Sequence, residues 1–278
     1  MTFVLLAALC SVLVSVLLKL APRLRFDIGQ AVAWNYVAAL GLALLLGPAP
    51  AALRDPATPW LALATLGVLL PTIFLALGAS VRHAGIVRTD AAQRLSLLVP
   101  LLAAFTLFGE TPAPLKLAGC ALGLVALACM VQRPGRAPTP GAGWRYPLLV
   151  FAGFGVIDVL FKRVAAAGIP LGTALTATFA LALVVAFVIQ FARRARFTPR
   201  SALAGLLLGL LNFGNILFYL RAHRALSQQP SLVFASMNLG VVVLGALIGI
   251  VVFRETLGRT ATIGLLLALA AIALLTRG

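Results

Sequence analysis

Apolar runs of about twenty residues fill this sequence, and their length most restricts the possible folds. A helix needs roughly 20 apolar residues to cross the ~30 Å hydrocarbon core of a bilayer. Only 10% of the residues are charged, whereas about a quarter are charged in a soluble domain. Inside lipid the backbone must satisfy its own hydrogen bonds, and no stretch alternates like a membrane β-barrel. The sequence therefore predicts an all-α integral membrane protein.

Ten such runs can be placed between breaks rich in proline, glycine and arginine, where water satisfies the freed backbone groups. The predicted transmembrane helices are residues 2–20, 28–47, 58–80, 86–108, 113–132, 146–166, 170–191, 201–221, 231–253 and 258–276. The longest polar connection falls in the middle of the chain. We therefore expect a first five-helix repeat at 1–133, a connecting loop at 134–145 and a second five-helix repeat at 146–278.

Two copies of a Phe-x-Glu-Thr motif indicate that the two halves are related. The first copy is LFGETP at 107–112 and the second is VFRETL at 252–257, with their phenylalanines 145 positions apart. The stretches SVLLK (15–19) and DVLFK (158–162) also match near the end of each half's first span. Because five is odd, the second half starts on the opposite side of the membrane, so the repeats are inverted. Inverted repeats are typical of secondary transporters, whose similar halves open one central site to either side in turn.

The motif itself is predicted to be structural. Each glutamate ends the fourth span of its half, at a turn where Thr111 or Thr256 can cap the next helix. We interpret this turn as a hinge between the last two helices of each half.

Pairs of glycines four residues apart predict close packing between helices. These pairs are Gly119/Gly123, Gly205/Gly209 and Gly245/Gly249.

The stretches that carry the motif resemble the EamA family of the drug/metabolite transporter (DMT) superfamily. They read LSLLVPLLAAFTLFGETPAPLKLAGCALGLVAL (95–127) and LGVVVLGALIGIVVFRETLGRTATIGLLLALAAI (239–272). The resemblance implies ten helices and a central cavity lined mainly by the first, third and fourth helices of each half. It also implies export or exchange of amino acids and related metabolites, as in the aromatic amino acid exporters of this fold. The intramembrane QRLS at 93–96 departs from the pattern of many members.

Polar side chains inside the spans are candidates for binding a substrate, because they are costly at membrane depth. Several share helix faces in the spans that the resemblance places around the cavity. The substrate-binding candidates are Ser11, Ser15, Gln93, Arg94, Asn212, Asn215, Tyr219, Met237 and Asn238. Interhelical hydrogen bonding is the alternative role. Two further aromatic residues suit either anchoring at the membrane interface, which we favour, or stacking on a ligand, namely Trp34 and Tyr36.

Two charged pairs inside spans have alternative interpretations. Asp158 and Lys162 are four residues apart on one helix face and can form a structural ion pair. They can also form a coupling site, where a carboxylate in a low-dielectric cavity exchanges a proton. Arg94 can recognise a carboxylate of the substrate with its planar guanidinium, or pair with Asp90 one turn earlier. A ligand with both charges could meet Arg94 and Asp158 together.

These features favour a secondary active transporter, an exporter or exchanger, of amino acids or related organic ions by alternating access. The alternatives are another solute class (nucleobase, sugar or drug-like cation) and, less favoured, a receptor or scaffold. The sequence lacks HExxH, GxSxG and P-loop motifs, so we expect no enzyme activity. We expect no cofactor, metal or nucleic acid, and the expected partners are a small-molecule substrate and the lipid bilayer. A coupling proton is left open, as is the choice between monomer and homodimer.

The distribution of cations bears on orientation in the cell (inner) membrane. Connections that follow odd-numbered spans, with the adjoining span ends, carry fifteen of the 22 lysines and arginines, and the opposite side carries seven. The positive-inside rule then places both termini in the periplasm. The family resemblance instead implies cytoplasmic termini. We favour the charge distribution because it belongs to this chain.

Overall fold

The computed structural model describes residues 1–56, 58–131, 145–252, 254 and 258–277. These residues contain no strand, so the predicted all-α fold is confirmed. A 3-10 helix spans Pro50–Arg54. The α-helices of the described residues are α1 (Thr2–Leu24), α2 (Ile28–Leu45), α3 (Trp60–Ala84), α4 (Ile86–Leu95), α5 (Leu98–Thr106), α6 (Pro114–Val131), α7 (Arg145–Ala166), α8 (Leu171–Ala192), α9 (Pro199–Ala225), α10 (Pro230–Val251) and α11 (Arg259–Arg277).

Seven helices in the described ranges are long and apolar enough to cross a membrane. They are α1, α2, α3 (as Trp60–Val81), α8, α9, α10 and α11, and α6 contributes a shorter apolar stretch. The predicted boundaries agree with the helices to within a few residues. The number of ten spans stays a prediction, because α6 and α7 do not meet the same criteria and the fourth predicted span is interrupted.

The fourth predicted span, residues 86–108, is divided into α4 and α5 at Ser96 and Leu97. Pro100 explains the division, because it has no N–H to donate to the carbonyl of Ser96, four residues earlier. That carbonyl instead accepts the N–H of Val99 at 3.0 Å, in a tighter turn. The Ser96 hydroxyl donates to the Gln93 carbonyl at 2.6 Å, a side-chain bond that commonly bends helices. The division therefore falls at the end of the QRLS stretch, residues 93–96.

The chain forms two compact units, and each takes helices from both sequence halves. Unit 1 comprises Met1–Thr72 and Leu160–Ala225, and unit 2 comprises Ile73–Val159 and Leu226–Gly278. In unit 1, α9 packs on α1 and α2, and α2 packs on α8; in unit 2, α6 packs on α11 and α4, and α10 packs on α5, α6 and α11. The compact units therefore differ from the sequence repeats, whose predicted boundaries stay a prediction.

Glycines allow the closest helix contacts in each unit. In unit 1, a Cβ at Gly205 would lie 2.6 Å from the Ala31 carbonyl oxygen of α2. In unit 2, a Cβ at Gly119 would lie 2.8 Å from Cγ of Leu275 in α11. Both are closer than real Cβ contacts, so the packing predicted for these two small-residue pairs is confirmed. Gly245 differs, because among the described residues no atom beyond its chain neighbours and its own helix backbone lies within 4 Å of the position that its Cβ would take.

Candidate functional site

The polar face of α9 in unit 1 carries three of the predicted binding residues. Asn212 donates from Nδ2 to Oδ1 of Asn35 on α2 at 3.1 Å, and Asn35 is 1% exposed. Asn212 thus makes the interhelical hydrogen bond that was the alternative to ligand binding. Asn215 is half-buried one turn further along. Asn35 was not among the predicted site residues, although an amide in the middle of an apolar span was an available signal.

We expect the Asn35 and Asn212 side chains to be energetically coupled. In a double-mutant cycle with alanine, their coupling is expected to be about 0.5–1.5 kcal/mol, typical of polar pairs between membrane helices. The measurement is the unfolding free energy of the purified protein in mixed micelles. Asn35→Ala combined with Asn215→Ala is the matched control and should be additive. Additivity in both pairs would show that the hydrogen bond between the Asn35 and Asn212 side chains contributes nothing to stability.

Tyr219 belongs to a buried cluster that joins α7 and α9, which we call the Lys162 cluster: Phe161, Lys162, Tyr219 and His223. The Tyr219 ring is 4% exposed, with centroids 6.0 Å from Phe161 and 4.7 Å from His223, both edge-on. Lys162 is 3% exposed and His223 is 1% exposed. The Lys162 ammonium lies within electrostatic range of the His223 imidazole. The cluster therefore places a buried cation among hydrogen-bonding and aromatic groups.

Asp158 lies one helical turn before Lys162 on α7 and is half-buried. Both residues sit within the same helix at the predicted i, i+4 spacing, which directs their side chains to one face. His223 was not among the predicted site residues. Its signal was weak, since the chain's two histidines each follow the third span of a half.

The aromatic residues of α2 lie inside unit 1. Tyr36 is 1% exposed, and its ring centroid is 6.3 Å from that of Phe179 on α8. The anchoring role that we favoured for Tyr36 is therefore wrong, because an anchor must reach the headgroup region and this ring is enclosed by neighbouring helices. Trp34 is half-buried and packs edge-on against Phe187 at 5.6 Å.

The two predicted serines of α1 have different exposures. Ser15 is exposed, and its hydroxyl donates to the Ser11 carbonyl at 3.1 Å. Ser11 is half-buried. A hydroxyl that bonds the preceding turn is a common way for serine to be satisfied in a membrane helix. The structure thus shows a local bond for Ser15, and substrate binding by either serine stays a prediction.

The predicted residues of unit 2 lie on α4 and α10. Arg94 donates from Nε to Oδ2 of Asp90 at 3.1 Å, which is the ion-pair alternative. Their side chains are 30% and 38% exposed, and Gln93 beside them is half-buried. An exposed pair of this kind stabilises the helix only weakly.

On α10, Asn238 donates from Nδ2 to the Phe234 carbonyl at 3.0 Å. Met237 is 8% exposed. The side-chain nitrogen of Asn238 therefore makes a hydrogen bond within its own helix. The side-chain oxygen of Asn238 takes no part in that bond. Binding by Met237 and Asn238 stays a prediction.

Glu110 of the first Phe-x-Glu-Thr motif is buried in unit 2 and holds the start of α10. Its Oε1 accepts from Lys116 Nζ at 3.0 Å and from Ser231 Oγ at 2.7 Å. Its Oε2 accepts the backbone N–H of Ser231 at 2.7 Å. The side chains of Glu110 and Lys116 are 1% and 7% exposed. A carboxylate at a helix N-terminus is stabilised by the free N–H groups and the helix dipole.

This arrangement, the Glu110 cluster (Glu110, Lys116 and Ser231), corrects the predicted role of the turn. Helix α6 begins at Pro114, so Thr111 is too early in the chain to cap it, and that prediction is wrong. The turn instead binds a helix from the other half of the sequence. Glu255 and Thr256 of the second copy lie outside the described residues. Two opposite charges six positions apart in an apolar region were the available signal.

Comparisons with known proteins agree with this architecture. The model of the EamA-like transporter family matches residues 1–132. An uncharacterised protein from Haemophilus influenzae is 41% identical over 276 residues, which cover 96% of this chain and 94% of that protein. A solved crystal structure with 19% sequence identity has a TM-score of 0.76 and covers 99% of this chain and 96% of its own. At that identity the structural likeness concerns the fold alone.

Proposed function

The chain belongs to the EamA-like transporter family, and from this premise we propose that it moves amino acids or related organic ions by alternating access. The family consists of membrane transporters of small molecules, so transport of a small molecule is the coarse function. Membership in a transporter family also argues against enzyme activity. The proposal adds the substrate class, the residues and the mode of transport.

The observation that carries the proposal is the pair of opposite charges on α7. Asp158 is half-buried and Lys162 is 3% exposed, one turn apart in a membrane protein with few acids. Ionisable groups at membrane depth are costly and mark substrate or ion pathways. An acid beside an ammonium suits a substrate that carries both charges, as an amino acid does. Asp158 would bind the substrate's amine and Lys162 its carboxylate.

We propose Lys162, in place of Arg94, as the ligand of the substrate's carboxylate. Arg94 already pairs with Asp90 and is partly exposed. Lys162 is 3% exposed and lies within electrostatic range of His223, and in this buried setting water competes less with a bound carboxylate. The remaining polar candidates stay proposed substrate contacts of their own units. Those of unit 1 are Ser11, Ser15, Asn212 and Asn215, and those of unit 2 are Gln93, Met237 and Asn238.

Counterflow in proteoliposomes tests the proposal. We expect saturable counterflow of radiolabelled amino acids by the parent protein, and loss of about thirtyfold or more in Asp158→Asn and Lys162→Met. The matched controls are Arg163→Gln, an exposed cation next to Lys162, and Asp55→Asn, an exposed acid between α2 and α3. Both controls should keep counterflow within about twofold, because neither charge is buried.

Different outcomes address different parts of the proposal. Saturable flux of a nucleobase or sugar, with none for amino acids, would replace the substrate class but keep the transporter. Equal losses in Lys162→Met and Arg163→Gln would remove Lys162 from the site. A proton gradient across the vesicles tests coupling, since unchanged gradient dependence in Asp158→Asn would exclude Asp158 as the coupling group.

A further inference from the structure

Six exposed arginines at one end of unit 1 come from two connections that are far apart in the sequence. Two of them lie at the C-terminal end of α1. The other four lie in the connection between α8 and α9 and at the start of α9. We call them the arginine end: Arg23, Arg25, Arg193, Arg194, Arg196 and Arg200. None of these arginines takes part in the proposed transport step.

Buried polar groups hold the two connections against each other. Gln30 donates from Nε2 to the Arg196 carbonyl at 2.8 Å and accepts the Thr198 N–H at its Oε1 at 3.0 Å. The Asp27 N–H donates to Ser201 Oγ at 3.0 Å. Gln30 is 6% exposed and Ser201 is 1% exposed. These hydrogen bonds hold the backbones of the two connections together. The fold itself therefore concentrates the positive charges in one place.

The positive charge of the arginine end is little offset by nearby acids. Asp27 is the single acid in residues 21–30 and 190–201. Its Oδ1 accepts the Gln30 N–H at 2.8 Å as the N-cap of α2. Six arginines and one aspartate therefore leave a surplus of five positive charges. Such a concentration attracts anions over a distance of about 8 Å at physiological salt.

Exposed phenyl rings lie beside the arginines. Phe191 is 66% exposed and Phe197 is 39% exposed. The two rings meet edge-on at 5.7 Å, and Phe197 also stacks with Phe187 at 5.9 Å. Aromatic rings next to basic side chains at the end of a membrane helix suit the boundary between acyl chains and headgroups. With the rings at that boundary, the arginines would lie at the level of lipid phosphates.

We propose that the arginine end is a binding surface for anionic phospholipid headgroups. Guanidinium groups match phosphate with two parallel hydrogen bonds, and clustered basic residues beside a membrane helix attract anionic lipids. The adjacent phenyl rings pack on acyl chains, which a free phosphate or a nucleic acid lacks. The surface therefore binds lipid in preference to either of those anions.

The test measures lipid retained by the full-length protein with native mass spectrometry, from micelles that contain phosphatidylglycerol and phosphatidylcholine. We expect the parent to retain phosphatidylglycerol preferentially. The triple variant Arg193→Gln, Arg194→Gln and Arg196→Gln should lose this preference by more than about tenfold. The matched control removes three exposed arginines elsewhere, by Arg54→Gln, Arg221→Gln and Arg277→Gln, and should stay within about twofold.

The remaining outcomes are decisive as well. Equal losses in the two triple variants would attribute retention to net charge and overturn the proposal. Displacement of phosphatidylglycerol by inorganic phosphate at equal phosphate concentration would identify a free-anion site instead. A parent that does not distinguish the two lipids also contradicts it. The elution volume on size exclusion confirms that each variant is folded, and substitution of the same three arginines by lysine should retain part of the preference.

Discussion

Replacing Glu110 with glutamine is expected to lower the free energy of unfolding by about 3–5 kcal/mol. The carboxylate is 1% exposed and bonds Lys116 and both donors of Ser231. Glutamine keeps the volume but removes the charge, which leaves the buried Lys116 ammonium without its counter-ion in this cluster. It also removes a negative charge from the N-terminus of α10, where the helix dipole favours one.

Cys120 provides a second, local measurement of this effect. It is 7% exposed and lies one turn after Lys116 on α6. In a protein with Cys10→Ala and Cys129→Ala, alkylation by N-ethylmaleimide then reports opening around the Glu110 cluster. Glu110→Gln and Lys116→Met should both accelerate alkylation. Direct electrostatic effects of losing an anion or a cation on thiolate formation are opposite, so a common direction indicates opening.

The double variant Glu110→Gln, Lys116→Met is the control for this interpretation. It should be more stable than Glu110→Gln alone, because removal of both charges leaves no uncompensated ion. Strict additivity of the two single effects would show that the ion pair has no energetic role. An unchanged unfolding free energy in Glu110→Gln would contradict the assignment of Glu110 as the residue that holds α10.

Replacing Gly209 with valine is expected to prevent folding of unit 1, at a cost of more than about 4 kcal/mol. A Cβ at this position would collide with the Asn35 carbonyl oxygen and lie 2.7 Å from the Ala38 Cβ. The obstacle is backbone and a short side chain of α2, so no rotamer change relieves it. Valine adds two methyl groups to that collision, and Gly209→Ala should show a smaller loss.

The yield of monodisperse protein and its thermal unfolding midpoint measure the Gly209 effect. Gly245→Ala is the control from a predicted small-residue pair, because no described part of another helix lies within 4 Å of its Cβ position. Gly41→Ala is a control on α2 with the same open surroundings. Both should be neutral or stabilising by up to about 1 kcal/mol, since alanine favours helix. A parental unfolding midpoint for Gly209→Val would disprove the close contact of α2 and α9.

The difference between Gly209 and Gly245 shows what a sequence motif can and cannot predict. Both glycines belong to pairs with the same four-residue spacing, which places each pair on one helix face. Spacing along one helix does not identify the helix that packs on that face. Tertiary structure puts α2 against Gly209 and leaves Gly245 without a neighbour at that distance.

Polar and charged residues of the candidate site also show that sequence spacing predicts contacts within one helix but not contacts between helices. The spacing of Asp90 and Arg94 was enough to offer their pairing as one of two alternatives, because both lie on one helix. The partner of Glu110 at Ser231 is 121 positions away, and nothing in the local pattern indicates it. Asn35 and Asn212 are 177 positions apart and were equally unpredictable as a pair.

The sequence by itself determined the helical membrane fold, the approximate helix boundaries and the family. These follow from the length of apolar runs, because a bilayer fixes how much helix must be apolar and forbids unpaired backbone groups. Tertiary structure alone decided which helices form each compact unit, that Tyr36 is enclosed, and that Glu110 holds α10. Such contacts depend on the shapes and distances of faces from distant parts of the chain, which periodicity within one helix does not encode.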